Sequence, residues 1–130
     1  MKTTGAETID AICAAIAAGD FDALERHIAT DGVFLGTVGG IDEEAVLRGP
    51  AAFMRYWKDV AATWDEWLIR PERVLEQDDT FVVFWRETTK SREIEMQNET
   101  ATVFTVRDGK IVEARGYLDR GAALEAAGLA

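Results

Sequence analysis

Hydrophobic and polar positions change their period once along this chain. Up to about residue 64 the apolar residues recur every three to four positions, as on helix faces; beyond it they alternate, as on strands. Thr4 and Glu7 form a capping box ahead of Ile9, Ile12, Cys13 and Ile16, which share one helical face. Gly19 stops that helix. Asp20 caps a second, short one with Phe21, Leu24 and Ile28 on its inward stripe and His27 at the stripe's border. Thr30-Asp31-Gly32 reads as a break, and Val33-Phe34-Leu35 as a short strand. Residues 36–44, rich in glycine and acid, read as a mobile loop or lid. Gly49-Pro50 opens a third helix, with Phe53, Trp57, Val60 and Trp64 on one face.

The second half reads as strands. Residues 67–75 are extended but contain Pro71, which predicts an edge strand or a bulge. After a turn at Gln77-Asp78-Asp79, residues 80–89 are rich in β-formers. Residues 90–93 turn the chain into strands at 94–106 and 110–118, and Asp119 caps a last short helix through Leu124. Helices first and antiparallel strands afterwards define the α+β class, with residues 1–130 as one domain.

The last hairpin decides which side chains share a face. Its turn is Asp108-Gly109. A type I turn with a left-handed Gly109 would pair Val106 with Lys110, Thr102 with Ala114, Thr100 with Gly116 and Asn98 with Leu118. Across the neighbouring turn, Trp85 would oppose Asn98 and Glu87 would oppose Met96. One face then carries Phe81, Val83, Trp85, Glu87, Met96, Asn98, Thr100, Thr102, Phe104, Ala114, Gly116 and Leu118. Large apolar groups, a few hydrogen-bonding ones and small residues that leave room are what a ligand pocket under covering helices requires. The opposite face (Val82, Phe84, Ala101, Val103, Arg115, Tyr117) offers an apolar patch for a second subunit. A two-residue Asp-Gly turn would instead send Tyr117 and Asp119 into the pocket.

Composition narrows the function. Apolar content is 48%, which excludes a disordered chain. The net charge of −10, from 24 acidic against 14 basic residues, argues against nucleic-acid and anionic-membrane partners. No apolar run has signal-peptide or membrane-span length, so a cytoplasmic location is expected. The lone Cys13 cannot form an internal disulfide and suits a small core position. One histidine and one cysteine cannot build the usual zinc site, and no calcium loop, Walker loop, dinucleotide fingerprint or nucleophile elbow is present. What remains for an enzyme is proton chemistry without a metal or cofactor.

Glu87 is the leading acid–base candidate, because a carboxylate buried beside Trp85 would suit proton transfer. The plainer alternative is an exposed residue paired with Arg86 or Arg92. Tyr117 could polarise a carbonyl oxygen or face a partner subunit. Asp119 could act in the pocket or only cap a helix. His27 is a further candidate with an ordinary structural reading. Phe34, Trp57 and Trp85 would line the cavity; Asn98 and Thr102 would orient a ligand.

Three stretches carry a family resemblance: AAIAAGDFDALERHIATDGVFLG at 14–36, LRGPAAFMRYW at 47–57 and ATVFTVRDGKIVEARGYLDRGAALEAAGL at 101–129. They resemble the nuclear-transport-factor-2-like superfamily, in particular its SnoaL-like polyketide-cyclase branch. The resemblance implies a cone, in which a strongly curved antiparallel sheet wraps helices around an apolar cavity, often dimerised through the sheet. Members include ketosteroid isomerases, polyketide cyclases, scytalone dehydratase and limonene epoxide hydrolase, besides non-catalytic domains, so the fold does not set the function. The isomerase's tyrosine, general-base aspartate and acidic donor fall here at Ile12, Gly36 and Thr102. None can abstract a carbon-bound proton, and only Thr102 can donate, weakly. The epoxide hydrolase's Asp–Arg–Asp set is also missing, since no second aspartate joins Arg86 on the pocket face. Two readings follow. One is a dimeric protein that binds a small, largely apolar, carbonyl-containing molecule for cyclisation, isomerisation or dehydration, with Glu87 as base. The other is a binding or dimerisation module, in which Trp57, Trp64 and Trp85 fill the cavity and Glu87 lies in solvent.

Overall fold

The computed structural model describes residues 4–129. Its elements run α1 (Gly5–Ala18), α2 (Phe21–Glu25), β1 (Ile28–Val38), β2 (Val46–Arg48), α3 (Pro50–Ala62), β3 (Glu66–Gln77), β4 (Thr80–Ser91), β5 (Ile94–Arg107), β6 (Lys110–Tyr117) and α4 (Arg120–Ala126). The Thr4 hydroxyl accepts from the Glu7 amide at 3.1 Å, and Gly19 ends α1 with φ 68°, a left-handed conformation that suits glycine. The Asp20 carboxylate caps α2 through the Ala23 amide, and Pro50 starts α3, where its missing N–H has no helical partner to lose.

The six strands form one curved, unclosed sheet in the order β2-β1-β6-β5-β4-β3. Its pairs are antiparallel except β1 with β6, which are parallel, so the sheet is mixed where the sequence suggested purely antiparallel strands. The first strand is also longer than its apolar core at Val33-Phe34-Leu35. The Thr30-Asp31-Gly32 break is absorbed inside β1 as an irregularity between Ile28 and Val33. Ile28 therefore belongs to this strand and not to the stripe of α2. A Cβ on Gly32 would lie 3.0 Å from the Ala29 carbonyl oxygen and 3.1 Å from that of Ile111, so glycine suits this close approach.

Residues 36–44 are not a free loop. Gly36 belongs to β1 and its amide donates to the Ala45 carbonyl at 2.8 Å; the following turn folds back over the strand. A Cβ on Gly36 would sit 1.7 Å from the Asp42 carbonyl oxygen, which no side chain can tolerate.

Two clusters hold the fold. The larger lies between the helices and the concave sheet face and includes Ile9, Ile12, Phe34, Met54, Phe81, Trp85, Phe104 and Ile111. Cys13 is buried here, and burial first, with nearby Asp10 second, pushes its thiol up to about 12, which keeps it an inert core group. The smaller cluster lies on the other face, where Ala123 of α4 packs with Val82, Ala101 and Tyr117. The apolar patch anticipated as a subunit contact is thus partly covered from within the chain. No helix among the described residues is long and apolar enough to cross a membrane.

Candidate functional site

Strand registers bring the site together. β4 and β5 join through a two-residue turn with Ser91 opposite Ile94, so Trp85 faces Thr100 and Glu87 faces Asn98. Both pairings are displaced by two residues from the expected ones. An even displacement keeps every side chain on its expected face. The final hairpin differs more. Arg107 pairs with Lys110, and Asp108 and Gly109 both have positive φ (51° and 76°), the two-residue turn. That turn alone would have swung Tyr117 and Asp119 inward. An irregularity between Thr105 and Val106, opposite an extra residue at Val112, restores the parity. Thr102 then pairs with Gly116, not Ala114, and Phe104 with Ala114.

Beneath the helices this concave face encloses a cavity of about 430 Å³. Phe34, Trp57, Trp85, Thr100, Thr102, Phe104, Gly116 and Leu118 all line it, as does Glu87. A run of rings crosses it from β1 through α3 to β3: Phe34 stacks on Phe53 at 3.8 Å, Phe53 meets Trp57 edge-on at 5.4 Å, and Trp57 stacks on Trp67 at 5.5 Å. Trp57 and Trp64 are half-buried and Trp85 is buried, and open volume remains between them.

Glu87 is half-buried, and neutral donors hold both of its oxygens. The Trp67 indole N–H donates to Oε1 at 2.9 Å, and the Thr100 hydroxyl donates to Oε2 at 2.5 Å. Arg86, the alternative partner, points to the other sheet face and bonds Glu72 and Glu99. Among the described residues Glu87 has no ion pair. Beside it, the Trp85 indole N–H donates to the Thr102 hydroxyl oxygen at 3.0 Å. That oxygen is an acceptor in this bond, so the Thr102 proton is free to donate to another group.

Other candidates are placed elsewhere. Asn98 is exposed and lies outside the cavity lining; the two-residue displacement sets it opposite Glu87 and not opposite the buried Trp85. Tyr117 pairs with Ala101 and packs in the smaller cluster on the other face, although it also borders the cavity. Asp119 is exposed and caps α4 through the Gly121 amide at 3.0 Å. His27 follows α2 outside the lining; burial first, then Lys110 and Arg26, lower its proton affinity below the ordinary histidine value. Among the described residues no three His, Cys, Asp or Glu side chains gather closely enough to hold a metal ion.

Sequence reasoning missed Trp67. It was visible only as the start of an extended run, although its alternation with Ile69 beside the 80–89 strand placed both on the concave face. It also missed Ile41 and Asp42, which reach the lining because the turn folds back over Gly36.

Comparison with known proteins fits this geometry. Among solved structures, TerC co-crystallised with polyporic acid has a TM-score of 0.77 at 21% identity, covering 93% of this chain and 95% of that one. A protein from Catenulispora acidiphila with a ketosteroid isomerase-like fold, in complex with trimethylamine, scores 0.75 at 19% identity over 98% and 96% of the two chains. A Sinorhizobium meliloti protein provisionally assigned as a polyketide cyclase scores 0.69 at 20% identity, covering 88% and 99%. At such identities these likenesses speak for the fold alone. No curated protein matches the chain. The SnoaL-like domain pattern matches residues 9–114, most of the chain, and with the cone and its cavity in place the protein belongs to the SnoaL-like family of the nuclear-transport-factor-2-like fold.

Proposed function

We propose that this protein binds a small, largely apolar, carbonyl-containing molecule in the cone and moves a proton on it without a cofactor. The observation that carries the reading is Glu87: a carboxylate on an aromatic cavity wall, held by the Trp67 and Thr100 donors and unpaired with any cation among the described residues. Each carboxylate oxygen keeps a second lone pair, so Glu87 can accept a proton from the carbon next to a carbonyl. Thr102, whose oxygen already accepts from Trp85, donates its proton toward the carbonyl oxygen as negative charge develops there. Glu87 then returns the proton to another carbon in an isomerisation, or to a departing hydroxyl in a dehydration. Relatives solved with polyporic acid and trimethylamine, or provisionally assigned as cyclases, support a small-molecule role at low identity. A second copy on the part of the outer sheet face that α4 leaves open, where Val103 is only half-buried, belongs to the same proposal.

A second reading has its own observation. Both Glu87 oxygens already have donors, which also suits a binding module whose polar wall merely orients the ligand. Deuterium exchange at the α-carbon of a bound aryl ketone, followed by NMR, separates the two. Catalysis predicts exchange that Glu87→Gln slows by about 10²-fold or more. Its melting temperature is expected to stay near that of the wild type, since Gln can still accept from Trp67. Binding without exchange in the wild type assigns the cavity to the binding module. Equal exchange in both proteins removes Glu87 as the base.

A further inference from the structure

The cavity is graded along the strands. One rung across the sheet, Phe81–Phe104–Ala114–Phe34, is wholly apolar and buried. The next, Val83–Thr102–Gly116, brings the first hydroxyl. Trp85–Thr100 and then Ile69–Glu87–Asn98 follow, and there the wall ends in the exposed Asn98. Hydrogen-bonding groups therefore gather toward the open end. That end also carries apolar side chains in water. Ile41 is fully exposed at 109% and Leu118 is 51% exposed, and both belong to the lining. They lie on adjoining segments: a Cβ on Gly39 would come within 3.5 Å of the Leu118 side chain. The turn that presents Ile41 is fixed at its base by Gly36–Ala45, Gly40–Thr37 and Ala45–Asp42 backbone bonds of 2.8–2.9 Å. An isoleucine held out into water beside a cavity gains nothing for the fold, but it stabilises an apolar surface laid against it.

We infer that the ligand is elongated and apolar at both ends: one end enters first, the polar group stops at Glu87 and Thr102, and the other end rests on Ile41 and Leu118. This rests on the ligand class proposed above and adds length and orientation to it. Ile41 and Leu118 thereby set specificity for ligand length.

A series of alkyl phenyl ketones of increasing chain length, titrated by calorimetry against the wild type, Ile41→Ser and Leu118→Ser, tests it. In the wild type, affinity is expected to rise about fourfold per methylene and to keep rising after the enclosed cavity is full. In the variants that late gain is lost, so the longest ketones bind about tenfold more weakly. A wild-type plateau, or equal weakening at every length, overturns the inference while leaving the ligand class standing. A changed sedimentation coefficient in either variant also overturns it, because the rim would then be a subunit contact. Failure of every ketone to bind the wild type overturns the ligand class itself.

Discussion

The two faces of the sheet treat their glutamates in opposite ways. On the concave face, among the described residues, Glu87 meets only neutral donors, Trp67 and Thr100, beside aromatic walls. On the convex face Glu72 and Glu99 share Arg86 and Arg120, with Glu72 to Arg120 at 2.5 Å and Arg86 to Glu99 at 3.1 Å. The convex carboxylates are tied to cations, whereas the concave one is held by an indole and a hydroxyl, with no ion pair among the described residues. The two faces are also linked. The Arg120 guanidinium donates to the carbonyl oxygens of Trp85 (2.8 Å) and Thr100 (3.2 Å) and lies over the Phe84 ring at 4.7 Å. Trp85 and Thr100 are register partners, and their side chains support Thr102 and Glu87 on the opposite face. The convex ion cluster therefore braces the backbone that carries the concave polar wall.

The concave face is expected to dominate stability. Trp85 is 4% exposed in the larger cluster, and Trp85→Ala is expected to lose about 3–5 kcal/mol in denaturant unfolding. A loss below about 1 kcal/mol, the size of a surface effect, would break the contrast between the faces.

Arg120→Met sharpens the link. It keeps much of the stem but removes a charged donor from two carbonyls, and its side chain is only 23% exposed. The expected cost is about 1.5–3 kcal/mol, in the range of hydrogen bonds to charged groups. If Arg120 braces the wall, tryptophan emission from the folded variant shifts as well. Lost stability with unchanged emission would confine Arg120 to the convex face.

How much of this was legible depends on parity and on reach. The strand alternation gave the concave face correctly, from Phe81 and Trp85 to Thr102 and Gly116, because the displacements left each residue's side unchanged. The pairings were not legible. Asp108-Gly109 is compatible with two turn types, and the irregularity at Val112 answers to the parallel pairing of β6 with β1, a partner about eighty residues away. Pro71 did announce its feature: β3 is an edge strand with an irregularity between Pro71 and Arg73, which leaves Glu72 as the extra residue beside Arg86 and Arg120. Local chemistry announced the Asp119 cap for the same reason. The Glu87–Trp67 bond, joining residues twenty apart, and the folded-back turn over Gly36 are tertiary facts, and no local pattern encodes them.

The smallest effect concerns Glu72, and pH exposes it. The Arg120 hydrogen bond first, with further help from Arg86 against an opposing desolvation, holds the Glu72 carboxyl below its ordinary value. The folded protein thus binds this proton more weakly than the unfolded chain does. Its contribution to stability is fully present above the ordinary carboxylate value and is lost as pH falls through the lowered one. Glu72→Gln removes that dependence. Thermal unfolding from neutral pH downward is expected to show the wild type ahead of Glu72→Gln at neutral pH, with the difference shrinking toward strong acid. The side chains of Arg86 and Glu72 are 48% and 34% exposed, so salt is expected to shrink the neutral-pH difference too. Parallel curves for the two proteins across the acidic range would mean that the convex cluster is bound by geometry without net electrostatic gain, and the opposition between the faces would then rest on Glu87 alone.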